Sequence, residues 1–297
     1  MKEKERVHLL MTNKYRKGDG KMKKYLALFL TMAMSVTMLA GCGGGEQPAQ
    51  DNAETPTDSA ERTTLTIGFD AEYPPYGYRT DAGDYEGFDI DLAQEVCDRR
   101  GWELVKQPID WNTKDMELNS GSIDCIWNGF TMTGREDSYT FSEPYVDNSI
   151  VFVVLADSDI QTAADLAGRV VVTQADSSAL SALESEDNAE LTASFATLEQ
   201  IADYNSAFMN LEAGVDDAIA VDIGVAQYQL QSRGDKFRML EEPLSTEQYA
   251  IGFKKGNTEL RDQVQETLDE MLADGTFDEI VANYTDYNLD QMVCLGK

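Results

Sequence analysis

Histidine is the scarcest chemistry in this sequence: His8 is the only one among 297 residues. A Ser-His-Asp or Cys-His nucleophile and a histidine-ligated metal each need an imidazole inside the fold. One imidazole at the far N-terminal end excludes most hydrolase readings. Cysteine is also sparse, with four residues and no CxxC spacing, so zinc and dithiol-redox motifs lack their ligands. Basic residues are outnumbered, 24 Lys and Arg against 54 Asp and Glu, for a formal charge of −30. Such a chain is repelled by nucleic acid and by anionic lipid surfaces. No apolar run reaches the roughly 20 residues that a membrane span needs.

What is present begins with a leader. Met22-Lys23-Lys24 precedes the apolar run Tyr25–Met38, and Leu39-Ala40-Gly41-Cys42 follows. A basic stretch, an apolar stretch and a small-residue cleavage site read as a secretory signal over residues 1–41, with Met22 as the expected start. Leu-Ala-Gly-Cys resembles the bacterial lipobox, which makes Cys42 the expected lipidated first residue of the mature protein and places that protein outside the cytoplasm, anchored to the membrane. Residues 43–62, GGGEQPAQDNAETPTDSAER, are too polar and too small to bury apolar surface. Residues 42–63 are therefore expected to be a disordered tether. Residues 1–41 hold nine of the basic and three of the acidic residues, so the remainder has 15 basic and 51 acidic residues, a charge of −36. His8 leaves with the signal. Cys97, Cys125 and Cys294 remain, an odd count whose pairing the sequence leaves open; buried free thiols are the default reading.

Beyond the tether, strands and helices alternate. Thr64–Phe69 alternates apolar and polar residues and reads as a strand. It runs into a loop fixed by Pro74-Pro75. A helix opens at Gly87–Leu92 with Asp89 as a plausible N-cap and ends at Gly101. Strands are expected at Glu103–Gln107 and Ile123–Asn128, around a short helix at Met116–Ser120. From Ile150 the pattern restarts. Strands are expected at Val151–Leu155, Arg169–Thr173, Asp217–Val221, Phe237–Leu240 and Tyr249–Lys254. Helices are expected after the Asp176-Ser177-Ser178 turn, at Glu199–Ala213, at Ile223–Ser232 and at Asn257–Asp274. This order implies an α/β fold with crossover helices, in two units with a C-terminal strand and helix of uncertain ownership.

The segment Asp124–Tyr145, DCIWNGFTMTGREDSYTFSEPY, carries the clearest chemistry. A buried strand ends at Gly129, and Thr131, Thr133 and Arg135 follow. Arg donates two parallel hydrogen bonds to a carboxylate, and a threonine hydroxyl can add a third. An apolar strand running into an ordinary polar turn explains the same residues without a ligand.

Seven segments in order resemble one known family: IGFDAEYPPYGY, GFDIDLAQEVCDRRGW, ELNSGSIDCIWNGFTMT, FSEPY, DLAGRVVVTQADSSA, LEAGVDDAIAVD and the C-terminal YAIGFKKGNTELRDQVQETLDEMLADGTFDEIVANY. They are similar to the extracellular solute-binding proteins of polar amino-acid ABC transporters, over about residues 64–287. The resemblance implies a type II periplasmic-binding-protein fold, two Rossmann-like lobes joined by two crossover hinge strands. Lobe 1 would be 64–144 plus 251–290, lobe 2 would be 150–245, and the hinges 145–149 and 246–250. It implies a monomeric receptor that closes on a polar amino acid and delivers it to a membrane permease, with no cofactor, no metal and no nucleic-acid partner.

Site residues carry over position by position. Asp70 matches the acid that contacts the ligand side chain, and Tyr73 and Trp111 match two aromatics that sandwich it. Gly129 matches a backbone carbonyl for the α-ammonium, Thr131 a hydroxyl for the ligand backbone, and Arg135 the α-carboxylate clamp. Ser178 matches a backbone N–H for the same carboxylate, and Asp222 the acid for the α-ammonium. Plainer roles exist for several of them: core aromatics for Tyr73 and Trp111, a helix N-cap for Asp222, a hold on the Pro-Pro loop for Asp70. Trp102 and Trp127 match no ligand position and read as packing. Two departures stand out. The loop between Thr133 and Arg135 is one residue short, and Asp176 stands where the family usually has glycine. An acid there either weakens the carboxylate site or selects a ligand with an extra positive group. Asp70 disfavours acidic side chains but does not separate arginine, lysine, glutamine, histidine and cystine. The alternatives are a secreted dehydratase resembling the cyclohexadienyl and arogenate enzymes of this fold, with Glu72, Glu143 or Asp176 as the acid, and a sensory amino-acid receptor.

Overall fold

The computed structural model describes residues 62–297. The expected signal segment, the start at Met22, the lipid on Cys42 and the tether up to residue 61 lie outside the described residues.

A first sheet grows on β1 (Thr64–Phe69), whose alternate residues Leu65, Ile67 and Phe69 are fully buried. That is the period-two pattern of a strand with one face on a core. The short strands β2 (Glu72–Tyr73), β3 (Gly77–Arg79) and β4 (Tyr85–Glu86) form a small antiparallel sheet of their own. Helix α1 (Phe88–Arg100) buries Ile90, Ala93, Val96 and Cys97, and Gly101 closes it in the left-handed region at φ 68°. β5 (Glu103–Pro108) pairs parallel with β1. A 3-10 turn starting at Trp111 leads into α2 (Lys114–Ser120). β6 (Cys125–Ile126) pairs with the other edge of β1, and β7 (Tyr139–Phe141) lies at the sheet margin.

The chain then leaves this sheet. β8 (Val146–Leu155) belongs to a second sheet, with β9 (Val170–Gln174), α3 (Ser178–Leu183), α4 (Ala189–Ser194), β10 (Thr197–Ile201), α5 (Tyr204–Glu212), β11 (Ala218–Asp222), α6 (Ile223–Arg233) and β12 (Phe237–Met239) following. Its strand order is β10-β9-β11-β8-β12. β13 (Ser245–Tyr249) runs antiparallel along the first half of β8, with Asn148 opposite Glu247 and Val146 opposite Tyr249. β14 (Gly252–Lys254) returns to the first sheet between β6 and β7, completing the order β5-β1-β6-β14-β7. Helices α7 (Thr258–Asp274), α8 (Thr276–Val281) and α9 (Leu289–Met292) end the chain. The backbone thus passes between the sheets twice, after β7 and before β14, and β8 and β13 pair beside those passages.

Four local expectations are corrected. Asp89 is not the N-cap of α1; Gly87 holds that position, and the buried Asp89 carboxylate accepts the Gly129 N–H at 2.5 Å. The stretch 199–213 is not one helix: its start continues β10, and α5 begins only after Asp203, whose side chain caps it by accepting the Ser206 N–H at 2.8 Å. The expected strand Tyr249–Lys254 is two strands in two sheets, broken at Ala250-Ile251. The strand expected over Ile123–Asn128 is only Cys125–Ile126. Cys97, Cys125 and Cys294 are free and buried, and Trp127 is packed in the core. Among the described residues no helix is long and apolar enough to cross a membrane, and no group of three or more metal-ligating side chains could hold an ion.

Candidate functional site

The C-terminal ends of β1 and β6 and the start of α3 face one another across a cleft between the sheets. In it lies a narrow, partly open cavity of about 10 Å³, room for about one water molecule. Six of the eight expected residues line it: Tyr73, Trp111, Gly129, Thr131, Arg135 and Ser178. Asn128, Gln174 and Ser177 complete the wall.

Each wall residue has a local reason to be there. Gly129 sits at φ +54°, and a Cβ on it would stand 2.9 Å from the Tyr249 ring and 3.1 Å from that of Tyr73. Only glycine meets both conditions. The Tyr73 hydroxyl lies 3.3 Å from that of Tyr249, and its ring lies 6.0 Å from the Tyr204 ring of the second sheet's layer. The Trp111 ring meets Phe130 edge-on at 5.8 Å. The Arg135 guanidinium lies over the Phe130 ring, 5.0 Å from its centroid, and donates at 3.4 Å to the Thr131 carbonyl. Among the described residues the guanidinium makes no other hydrogen bond and no ion pair with a carboxylate. Ser178 is the first residue of α3. The N-cap is Ser177, whose Oγ accepts the Leu180 N–H at 3.1 Å.

Asp70 and Asp222 stand directly behind the wall rather than in it. Asp70 accepts the Glu72 N–H at 2.8 Å and, across the cleft, the Gln174 side-chain amide at 2.6 Å. Burial raises its pKa to about 6, against these two bonds. Gln174 also donates to the Ala202 carbonyl at 2.9 Å, so both of its amide hydrogens are engaged and its Oε1 is left as the acceptor. Asp222 lies at the N-cap position of α6 but makes no side-chain cap. Its Oδ1 instead accepts the Tyr249 hydroxyl at 2.5 Å and the Asn148 amide at 2.7 Å. Burial pushes its pKa up as well.

Two further acids matter. Asp176, the residue in place of the usual glycine, has φ +57° and pairs with Lys114 from the facing wall. The Lys114 side chain is almost fully buried, with its ammonium 5.2 Å from the centroid of the Trp111 ring. Asp176 therefore brings no uncompensated charge to the cleft. Glu247 was not expected from the sequence. It is buried on β13, and its Oε1 accepts from Thr131 at 2.7 Å, Asn148 at 2.8 Å and Ser178 at 3.0 Å. The period-two alternation of β13 gave a signal for it, because Glu247 shares a face with the buried Tyr249. Asn128 and Gln174 carried no such signal.

A family model of bacterial extracellular solute-binding proteins, family 3, matches residues 65–287. The L-cystine-binding protein TcyA of Bacillus subtilis is 31% identical over 266 residues, spanning 87% of this chain and 96% of that one. The ABC transporter glutamine-binding protein GlnH of the same organism is 27% identical over 268 residues, again 87% of this chain and 96% of that one. Among solved structures, a histidine-bound substrate-binding protein of an ABC uptake transporter from Streptococcus pneumoniae matches with a TM-score of 0.71 at 35% identity, covering 74% of this chain and 92% of the other. With its two α/β sheets and paired crossovers arranged as in these type II binding proteins, the chain belongs to the bacterial extracellular solute-binding proteins of family 3.

Proposed function

We propose that this protein captures a polar amino acid outside the cell, between its two sheets, and delivers it to the permease of an ABC importer. The observation that carries the reading is the convergence of Tyr73, Trp111, Gly129, Thr131, Arg135 and Ser178 on one narrow cavity, with a guanidinium on its wall that pairs with no acid among the described residues and buried acids behind it. A zwitterion needs an anion site and a cation site a few ångströms apart. Arg135, with the Ser178 N–H, takes the α-carboxylate. Asp222, the Gly129 carbonyl and the Thr131 hydroxyl take the α-ammonium. Tyr73 and Trp111 sandwich the side chain.

Asp70 reads the side chain through Gln174, whose Oε1 accepts from an amide, ammonium or guanidinium and repels a carboxylate. Glutamine, arginine, lysine, histidine and cystine fit that rule. The wall is drawn from both sheets, so ligand binding draws lobe 1 (64–144 with 251–290) onto lobe 2 (150–245). The hinges are 145–149 and 246–250. Three or four charge-assisted bonds at about 1.5–3 kcal/mol each, with ring stacking, are enough for micromolar binding, which takes about 8 kcal/mol. A lipid on Cys42 holds the receptor at the membrane beside its permease. None of the three acids named for the dehydratase alternative stands free in the cavity: Asp176 is paired with Lys114, Glu72 accepts from Asn205, and Glu143 is exposed.

A thermal-shift screen against the twenty amino acids and cystine tests the reading. A clear rise for one or a few polar ligands is expected. No shift with any of them, together with turnover of prephenate or arogenate, contradicts it.

A further inference from the structure

The acid end of the cavity holds more negative charge than one ammonium-binding aspartate. Asp222 and Glu247 share one donor: the Asn148 Nδ2 lies 2.7 Å from Asp222 Oδ1 and 2.8 Å from Glu247 Oε1. Thr131 from the first sheet's side and Ser178 from the second both donate to that same Oε1. None of these bonds uses Glu247 Oε2. The Asn148 Oδ1 is buried and has no partner among the described residues. Two acceptors therefore remain open beside the cavity, and two carboxylates stand with no lysine or arginine among their described partners. The other titratable groups around Glu247 are Asp222 and the hydroxyls of Tyr249 and Tyr76, with Asp89 beyond Tyr76. On the other packed elements the charged groups are Arg135, reached through Thr131, and Asp176, already paired with Lys114. Asp147 on β8 accepts from Gln248, the neighbour of Glu247.

We propose that Glu247 is, with Asp222, one of two carboxylates that receive the ligand's ammonium, and that a proton shared by the pair stands in for that ammonium until the ligand binds. The inference rests on the amino-acid-binding reading and adds to it a residue and a linkage. Two buried carboxylates that share one hydrogen-bond donor cannot both be ionised without a cation. Burial holds the Glu247 carboxyl at about 7, with the Asp222 charge adding to the rise. An arriving ammonium ionises both acids, and the proton passes to solvent. The hydroxyls of Thr131 and Ser178 donate to Glu247 from opposite walls, so the same charge change pulls on both sides of the cleft.

The test is calorimetry on the mature protein, using the amino acid with the largest thermal shift that carries no imidazole. Titrations are run at pH 6 and pH 8, each in two buffers of different ionisation enthalpy. For a group titrating near 7, about 0.9 proton is released per ligand at pH 6 and about 0.1 at pH 8, and affinity rises about tenfold between them. Glu247→Gln, which keeps the shape and the hydrogen-bonding reach, is expected to bind more weakly at pH 8 and to release at least about half a proton less at pH 6. Binding by the wild type without proton release and without pH dependence would overturn the proposal while leaving amino-acid binding intact. Wild-type proton release by Glu247→Gln would remove Glu247 from the site. Absence of binding by every amino acid at both pH values would overturn the parent reading and this one together.

Discussion

Two pairs of charged residues flank the same cavity and are built in opposite ways. At its lip, Asp176 faces Lys114: one acid, one cation, held across the cleft. Behind its floor, Asp222 faces Glu247: two acids, bridged by the Asn148 amide, with no cation of their own. The lip pair is complete as it stands, and opening the cleft breaks it. The floor pair has no cation among its described partners, and that is the place proposed for a ligand ammonium. An acid that arrives with its own counter-ion is part of the closing contact. An acid buried without one marks where charge is to be received. Arg135 is the floor pair's counterpart, a cation that bonds a carbonyl and lies over a phenyl ring but has no ion pair among the described residues.

The largest effect that follows from this contrast is at Arg135. Arg135→Ala should weaken every amino acid alike by about 100-fold or more, since a bidentate charged contact is lost. Calorimetry on several ligands checks it, and a change in side-chain preference alone contradicts the assignment. Asp222→Asn should follow, with affinity down by about 1.5–3 kcal/mol. The melting temperature of the ligand-free protein should hold or rise, because an uncompensated buried acid is gone. Asp176→Asn should act on closure instead. Affinity for every ligand should fall by less than about fivefold, because a half-exposed pair contributes about 1 kcal/mol or less, while the Tm of the ligand-free protein, whose open cleft does not hold the pair, should stay where it is. Equal behaviour of the two aspartates would erase the distinction between lip and floor.

How much of this was legible beforehand differs between the two pairs. The seven ordered segments were sufficient for the family, the two-unit α/β fold and six of the nine wall residues. Strand and helix periodicity is local, and Arg135 and Thr131 sit at fixed offsets from β6. Asp176 was legible as a departure, but its partner was not, because Lys114 lies 62 residues away and only the closing of the cleft brings the two together. Glu247 had a local signal in the alternation of β13, but its partners were hidden for a similar reason. Its segment read as a connection, and the contacts that give it meaning come from β8, from the loop after Gly129 and from α3. The misread helix at 199–213 shows the limit of periodicity itself: Ile201 fits a helical stripe with Tyr204 and Phe208, yet it closes β10 in parallel register with Gln174.

Smaller in size, and dependent on pH, is the stability of the ligand-free protein. Burial raises the Asp70 carboxyl to about 6 and those of Asp89 and Glu247 to about 7, so the native state holds protons that the unfolded chain has already released. That stabilisation is full below about pH 4, where the unfolded carboxyls also hold their protons, and it is lost steadily as pH rises to the native values of about 6 and 7. Asp274, lowered by its bond to Arg99, and Glu212, lowered by Lys236, act the other way, but only as pH falls below the ordinary carboxyl range. Between pH 5 and 8 the buried acids decide, so the ligand-free Tm should fall across that interval. The ligand-induced rise in Tm should grow over the same interval as an ammonium takes over from the proton. Differential scanning calorimetry with and without ligand reads both, and a ligand-free Tm that climbs from pH 5 to 8 contradicts the sign.

The central claim is that both ends of a zwitterion are gripped, one by Arg135 and the other by the acid floor. Calorimetry with the best amino acid from the screen, its α-carboxamide and its α-deamino analogue tests it most directly. Each analogue removes one charge and leaves the side chain intact. The account predicts losses of about 100-fold or more for both. Retention of full affinity by either analogue would contradict it.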